Sequence, residues 1–332
     1  MPIKVAINGF GRIGRASYKI LLERDDAEVV AINDLTDPQT LAHLLRFDTV
    51  YGRYDKKVDL EDGSFVVNGK KSKLFCEKDP LKLPWKDLEV DVVLECTGVF
   101  VKDGAAKVHI EAGAKKVVLS APAKGGNIQT FLIGVNDAQY LGQNIISNAS
   151  CTTNCIAPVI AVIHNALGIK KATMTTVHAV TADQNLVDGP HKDLRRARAA
   201  DYNIIPTTTG AAIATTEVIP DLKDKFDGLA IRVPVFVGSL SDITMLVNKP
   251  ATVEEVNSLF IKAKNDPLYK NVLDATYDPL VSSDIIKSNY SAIVDLSVTS
   301  VIDGDLVKVF AWYDNEWGYS NRLVELAVMI SK

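Results

Sequence analysis

The 332-residue sequence predicts an α/β chain in two parts: a doubly wound parallel sheet, then an α+β domain with a mainly antiparallel sheet. Three observations predict it. A Gly-x-Gly-x-x-Gly turn, Gly9 to Gly14, separates two short apolar strands. Short strands alternate with helical stretches in the first half, whereas long β-branched strands with few helices fill the second. Between the two textures lies the polar run Asn148-Ala149-Ser150-Cys151-Thr152-Thr153-Asn154-Cys155, with an apolar β-type run before it and an apolar helical run after it.

The first strand covers residues 3–8, a helix follows the glycine turn to about residue 23, and a second strand over 28–33 ends at Asp34. This is the Rossmann dinucleotide fingerprint within a βαβ unit. Gly9 permits the tight turn, Gly11 lets the backbone approach a pyrophosphate on the helix N-terminus, and Gly14 lets helix and strand pack closely. Asp34 stands where a carboxylate binds ribose hydroxyls. Farther on, residues 41–47 read as a helix, and residues 58–75 as short strands broken by the hairpin dipeptides Asp62-Gly63 and Asn68-Gly69. A buried strand over 90–95 closes at Thr97-Gly98, a helix spans about 105–112, and a strand over 117–120 ends at Ser120. Ligands of open α/β sheets bind beyond the carboxyl ends of strands, so Thr97, Gly98 and Ser120 are either cofactor neighbours or ordinary loop polarity.

Cys151 falls at the turn from strand to helix. Unpaired N–H groups and the positive end of a helix dipole face that position, which favours thiolate over thiol. Ser150, Thr152, Thr153 and Asn154 can cap the helix or donate to a docked anion, a set that a merely structural cysteine does not require. Cys155, one helical turn on, reads as packing against a sheet, with a redox role as the alternative.

In the second half a strand over 172–180 carries His178 at its end, and a long polar loop runs from Thr181 to about Asn203. A loop of that length in a compact chain is functional or an interface. Strands are expected over 229–235, 242–247, 292–300 and 306–312, and helices from Ala211, over 253–264 and over 319–330. The predicted division is a first domain at 1–148, rejoined by the C-terminal helix at about 317–332, and a catalytic domain at 149–316.

Composition narrows the function classes. Net charge is −4 and pI about 5.8, so nothing global points to nucleic acid or a membrane surface. The chain starts directly on a strand without a signal peptide, and no apolar stretch reaches the ~18 residues of a membrane span. Four cysteines without a framework fit a cytoplasmic protein, and no cysteine, histidine or carboxylate spacing suggests a metal.

Of the five histidines, His178 is either the base for Cys151 or a hydrogen-bonded strand-end residue. Thr181, Arg196, Thr209, Gly210 and Arg232 suit a phosphorylated substrate, and Arg232 lies in an apolar strand with no adjacent acid. A nicotinamide beside an activated cysteine implies addition of the thiolate to an aldehyde, hydride loss, and release of a thioester by water or phosphate.

These motifs closely resemble phosphorylating glyceraldehyde-3-phosphate dehydrogenases, nearly end to end. The likeness rests on Ile7 to Arg15, Ser147 to Cys155, Thr175-Thr176-Val177-His178, His191 to Ala200, Pro206 to Ala212 and Trp312 to Ser320. The resemblance implies a homotetramer with one NAD per subunit that converts glyceraldehyde 3-phosphate, NAD and inorganic phosphate to 1,3-bisphosphoglycerate. It implies Cys151 as nucleophile and His178 as base. Thr181 and Arg232 resemble the site for the substrate's own phosphate, and Ser150, Thr152, Arg196, Thr209 and Gly210 the groups around the attacking phosphate. Gly9, Gly11, Arg12, Ile13, Gly14, Asp34, Lys78, Ser120 and Asn315 resemble cofactor contacts, with Tyr319 near the nicotinamide. The long loop resembles one at a subunit interface. Departures from the usual family pattern fall at Ala179-Val180, Gly189 and Ile213, and none removes a catalytic group. The rival readings are an erythrose-4-phosphate dehydrogenase, or a non-enzymatic thiol redox sensor or RNA-binding protein.

Overall fold

A computed structural model describes residues 1–332. Contacts divide the chain into two units, Met1–Ile133 with Asp137–Ala149 and Ser320–Lys332, and Gly134–Asn136 with Ser150–Tyr319.

The first unit contains β1 (Ile3–Asn8), α1 (Arg12–Leu22), β2 (Ala27–Asn33), α2 (Pro38–Arg46), the ribbon β3 (Phe47–Asp48) and β4 (Gly52–Arg53), and the meander β5 (Val58–Glu61), β6 (Ser64–Val67) and β7 (Lys70–Phe75). Then come β8 (Val92–Glu95), α3 (Lys107–Glu111), β9 (Lys116–Leu119), β10 (Gln129–Thr130) and β11 (Ile145–Ser147). Nine strands form one sheet in the order β10-β11-β9-β8-β1-β2-β7-β6-β5. It is parallel from β10 to β7, so the expected doubly wound sheet is present, and antiparallel only in the meander. The two hairpin dipeptides do what their sequence suggests: Asp62, Gly63, Asn68 and Gly69 all have positive φ, as two-residue hairpin turns require.

The second unit contains α4 (Cys151–Leu167), β12 (Ile169–Ala179), β13 (Ile205–Thr208), α5 (Ala211–Val218), β14 (Phe226–Val233), β15 (Ser239–Val247), α6 (Val253–Lys264), β16 (Leu273–Thr276), β17 (Ala292–Ile302), β18 (Leu306–Tyr313) and the start of α7 (Trp317–Ser331). Its sheet runs β13-β14-β12-β15-β18-β17-β16. Most pairings are antiparallel, and β12/β14 and β16/β17 are parallel. Helices α4, α5 and α6 share one core with a single face of this sheet, including Ile156, Val159, Ile160, Phe260, Ile243, Met245, Val307 and Val309. Helix α6 starts on a reciprocal cap in which the Thr252 hydroxyl accepts from the Glu255 N–H and the Glu255 carboxylate accepts from the Thr252 N–H.

The glycine turn shows why two of its glycines are required by packing and one is not. A Cβ on Gly14 would lie 2.1 Å from the Gly9 carbonyl oxygen, and Gly9, at φ +94°, presses against the Cys96–Thr97 peptide. A Cβ on Gly11 would meet nothing within 4 Å. Gly14→Ala is therefore expected to destabilise the protein by about 1–3 kcal/mol through overpacking. Gly11→Ala, an unobstructed position, should change stability by less than about 1 kcal/mol while weakening dinucleotide binding. Urea unfolding of both variants checks this, and equal losses would contradict it.

Candidate active site

Helix α4 begins at Cys151, within the polar run and five residues before the apolar periodicity that starts at Ile156, because Ser150 serves as its cap. The Ser150 Oγ accepts from the Thr153 N–H at 3.1 Å. The Cys151 Sγ thus lies at the first turn, 3.4 Å from Nε2 of His178. His178 is held from its other side: Nδ1 donates to the Ala179 carbonyl at 2.6 Å, which leaves Nε2 as the acceptor facing the thiol. On parallel strands β12 and β14, Arg232 is in register with His178. Its Nη1 lies 3.1 Å from His178 Nδ1 and donates to the Ala179 carbonyl (3.1 Å) and the Thr181 Oγ1 (3.3 Å). Its Nε is buried without a partner.

The expectation of a ready thiolate needs correction. The Arg232 charge and hydrogen bonds from Thr152 do draw the Cys151 pKa down, but burial outweighs them and holds it above the ordinary thiol value. Burial and the same guanidinium push His178 down to about 3. Both directions favour the uncharged forms, and in the neutral imidazole Nε2 is free to accept a proton.

Arg196 is near enough for its charge to lower both His178 and Arg232. Its own nitrogens bind Thr207 Oγ1 (2.9 Å), Asp183 (2.6 Å) and the Thr208 carbonyl (3.1 Å), tying the long loop to β13. The Thr209 Oγ1 accepts from the Ala211 N–H, and Gly210 is the N-cap of α5. Neither forms a direct hydrogen bond with Cys151, His178 or Arg232. Thr152 turns its hydroxyl into the core, 2.9 Å from the Tyr313 hydroxyl. Cys155 is fully buried with Sγ 3.8 Å from the Ala311 carbonyl, as a residue packed on the sheet.

Sequence reasoning missed two supports of this cluster. Tyr313, buried, bonds Thr152 and Thr176 through its hydroxyl and sets its ring edge-on to His178 at 6.0 Å. Ser239 accepts from the Ala179 N–H and donates to the Asn315 Oδ1, both at 3.1 Å. The Asn315 oxygen is thereby committed to Ser239 and the Gly238 N–H, and its amide nitrogen is left to donate. The only local signal for Tyr313 was its place at the end of a strand beside Asn315.

In the first unit, the dinucleotide candidates gather at the carboxyl ends of β1, β2, β7, β8 and β9. The N-terminus of α1 has no side-chain cap at Gly11, so its first-turn N–H groups suit an anion. Asp34 is pinned there, its carboxylate accepting from Phe10 N–H (2.7 Å) and Thr36 N–H (2.9 Å). Arg12 pairs with Asp48 and packs on Tyr51. Ile13 follows it in the first turn of α1, and Lys78 is exposed on the loop after β7. The Ser120 N–H donates to the Glu95 carbonyl (3.0 Å), while Tyr319, at the start of α7 in the second unit, is buried. Thr97 and Gly98 lie exposed on the loop after β8. Gly189 does not open empty room, because the Asn185 amide from the same loop fills it. Ile213 is exposed on α5.

Residues 3–103 match the family model described as glyceraldehyde 3-phosphate dehydrogenase, NAD binding domain, and residues 150–315 match that of the C-terminal domain. Among similar curated proteins, the glyceraldehyde-3-phosphate dehydrogenase of Mycobacterium avium is 53% identical, over 100% of this chain and 99% of its own. That of Mycobacterium tuberculosis is 54% identical with the same coverage. Glyceraldehyde-3-phosphate dehydrogenase 2 of Streptomyces avermitilis is 52% identical over 99% of both. With a capped helix presenting a cysteine to a histidine, an arginine beside them and an NAD-binding sheet, the chain belongs to the glyceraldehyde-3-phosphate dehydrogenase family.

Proposed function

We propose that this protein oxidises glyceraldehyde 3-phosphate to 1,3-bisphosphoglycerate with NAD and inorganic phosphate, in the cytoplasm, as a step of glycolysis and gluconeogenesis. The observation that carries the reading is the 3.4 Å approach of Cys151 Sγ to the bare Nε2 of His178, with Arg232 against the imidazole and near enough for its charge to act on the sulfur. The residues fit the cofactor: an uncapped helix start for a pyrophosphate and the fixed carboxylate of Asp34 for a ribose. Bound NAD supplies the hydride acceptor.

The chain's own residues supply the rest. His178 Nε2 takes the thiol proton as the sulfur–carbon bond forms and returns it to the new alkoxide, giving a hemithioacetal on Cys151 and leaving the imidazole neutral again. The N–H at the start of α4 stabilises the developing oxyanion. The imidazole next takes the hydroxyl proton as the thioester forms, which phosphate then cleaves. Arg232 and Thr181 hold the substrate's phosphate, and the unpartnered Arg232 Nε supports that role. Ser150, Thr152, Arg196, Thr209 and Gly210 surround the attacking phosphate. Arg12, Ile13, Lys78, Ser120, Asn315 and Tyr319 complete the cofactor contacts. The homotetramer is supported by the long loop and its flank, where Leu186, Val187, Leu194, Tyr202 and Ile204 are 72–88% exposed.

Three outcomes are expected. NADH formation from glyceraldehyde 3-phosphate should depend on added inorganic phosphate, and Cys151→Ala should abolish it while Cys155→Ala remains active. Turnover independent of phosphate would favour the erythrose-4-phosphate type, and turnover by Cys151→Ala would remove the nucleophile assignment. Arg232→Ala should lower kcat/KM for the phosphorylated aldehyde by about ten- to a hundredfold. Because the guanidinium favours the thiolate, its loss should also shift alkylation of Cys151 to higher pH. An unmoved alkylation profile would show that Arg232 does not act on the sulfur. Wild-type enzyme should prefer NAD over NADP, since Asp34 repels a 2′-phosphate. Asp34→Ala should narrow that preference without reversing it, and raise KM for NAD as the Phe10 anchor is lost. Paired kcat/KM measurements with each cofactor decide it.

A further inference from the structure

Asn33, Asn8 and Glu95 are the last residues of β2, β1 and β8, adjacent strands on which they occupy one register row. All three side chains are buried, and they are joined. The Asn33 Nδ2 donates to Asn8 Oδ1 at 2.8 Å, and Asn8 Nδ2 donates to Glu95 Oε2 at 2.6 Å. Asn33 also holds the β7 loop, accepting from the Glu77 N–H and donating to its carbonyl, each at 2.9 Å. The Glu95 carboxylate then takes three more donors: His109 Nε2 at 2.9 Å, the Thr97 N–H at 2.8 Å, and the Thr97 hydroxyl. His109 is fixed in that role because its Nδ1 accepts from the Trp85 indole N–H at 3.1 Å, and an indole can only donate. A fully buried carboxylate with four donors and no cation beside it is an expensive feature to keep for packing alone.

Each member of this row stands one or two residues before a loop of the dinucleotide site. Asn8 precedes Gly9, Asn33 precedes Asp34, and Glu95 precedes the Cys96–Thr97 peptide against which Gly9 packs. We propose that Glu95, through Asn8, His109 and Thr97, is the positioning residue that holds the three cofactor loops in register for the dinucleotide. The proposal rests on the NAD-binding reading above.

The neutral isostere tests it. In Glu95→Gln one oxygen becomes an NH2 that faces donors, so Thr97 or Asn8 loses its acceptor. Its Kd for NAD by calorimetry should rise by about tenfold or more, with kcat at saturating NAD within about twofold of wild type. His109→Leu removes one donor and should also weaken NAD binding, whereas His109→Gln can donate to Glu95 and accept from Trp85. His109→Gln should therefore stay within about threefold of wild type. This rescue is a readout that bulk packing would not give, and the His109 pair carries the test if Glu95→Gln fails to fold. Wild-type binding by Glu95→Gln, or equal losses in His109→Leu and His109→Gln, would overturn the proposal. Failure of wild-type protein itself to bind NAD would instead overturn the underlying reading.

Discussion

The cluster of Cys151, His178 and Arg232 depends on the seating of one helix start. Helix α4 is buried along most of its length, so its first residue has little freedom of position. The Ser150 cap fixes where the helix begins, and the core fixes how deep it sits. Cys151 inherits both constraints. The same depth that positions the sulfur disfavours its charge, and Arg232 is the counterweight that the sheet supplies from a neighbouring strand. One guanidinium thus makes the sulfur easier to deprotonate and the imidazole harder to protonate. Proton transfer from sulfur to nitrogen is then sensitive to how far that guanidinium charge is neutralised.

The first unit solves a different problem with similar means. Its helix α1 is left uncapped where α4 is capped, so one helix start is reserved for a ligand and the other for a side chain. Rigidity there comes from beneath, through the row of Asn33, Asn8 and Glu95 under the loops. A flexible glycine turn on a fully bonded floor can admit a dinucleotide without giving up its shape.

Legibility followed sequence distance. The β1–α1–β2 fingerprint, the two hairpins and the span of helix α6 were readable because each is decided by residues within a few positions of one another. The pairing of Cys151 with His178 was suggested by local texture, a polar run at a strand–helix turn and a histidine at a strand end, yet their contact spans two separate elements. Tyr313, Ser239 and the Glu95–His109 pair were not readable, because what they do depends on partners far along the chain. The short strand β13 escaped for a related reason: Ile205–Thr208 carries Pro206 and is a strand only because it pairs as the sheet edge with β14. The helix start alone suggested a lowered Cys151 pKa, whereas burial, which sequence does not reveal, pushes it up.

The path of α7 has a consequence for how the protein is made. Its later part, Ser320–Lys332, belongs to the first unit and brings it buried Leu323, Val324, Leu326 and Ala327, together with an ion pair from Lys332 to Asp26. The amino-terminal unit is therefore incomplete until residues 320–332 have been synthesised and have left the ribosome. The cofactor-binding unit, although most of it is translated first, must wait for its last core residues until the whole second unit has been made.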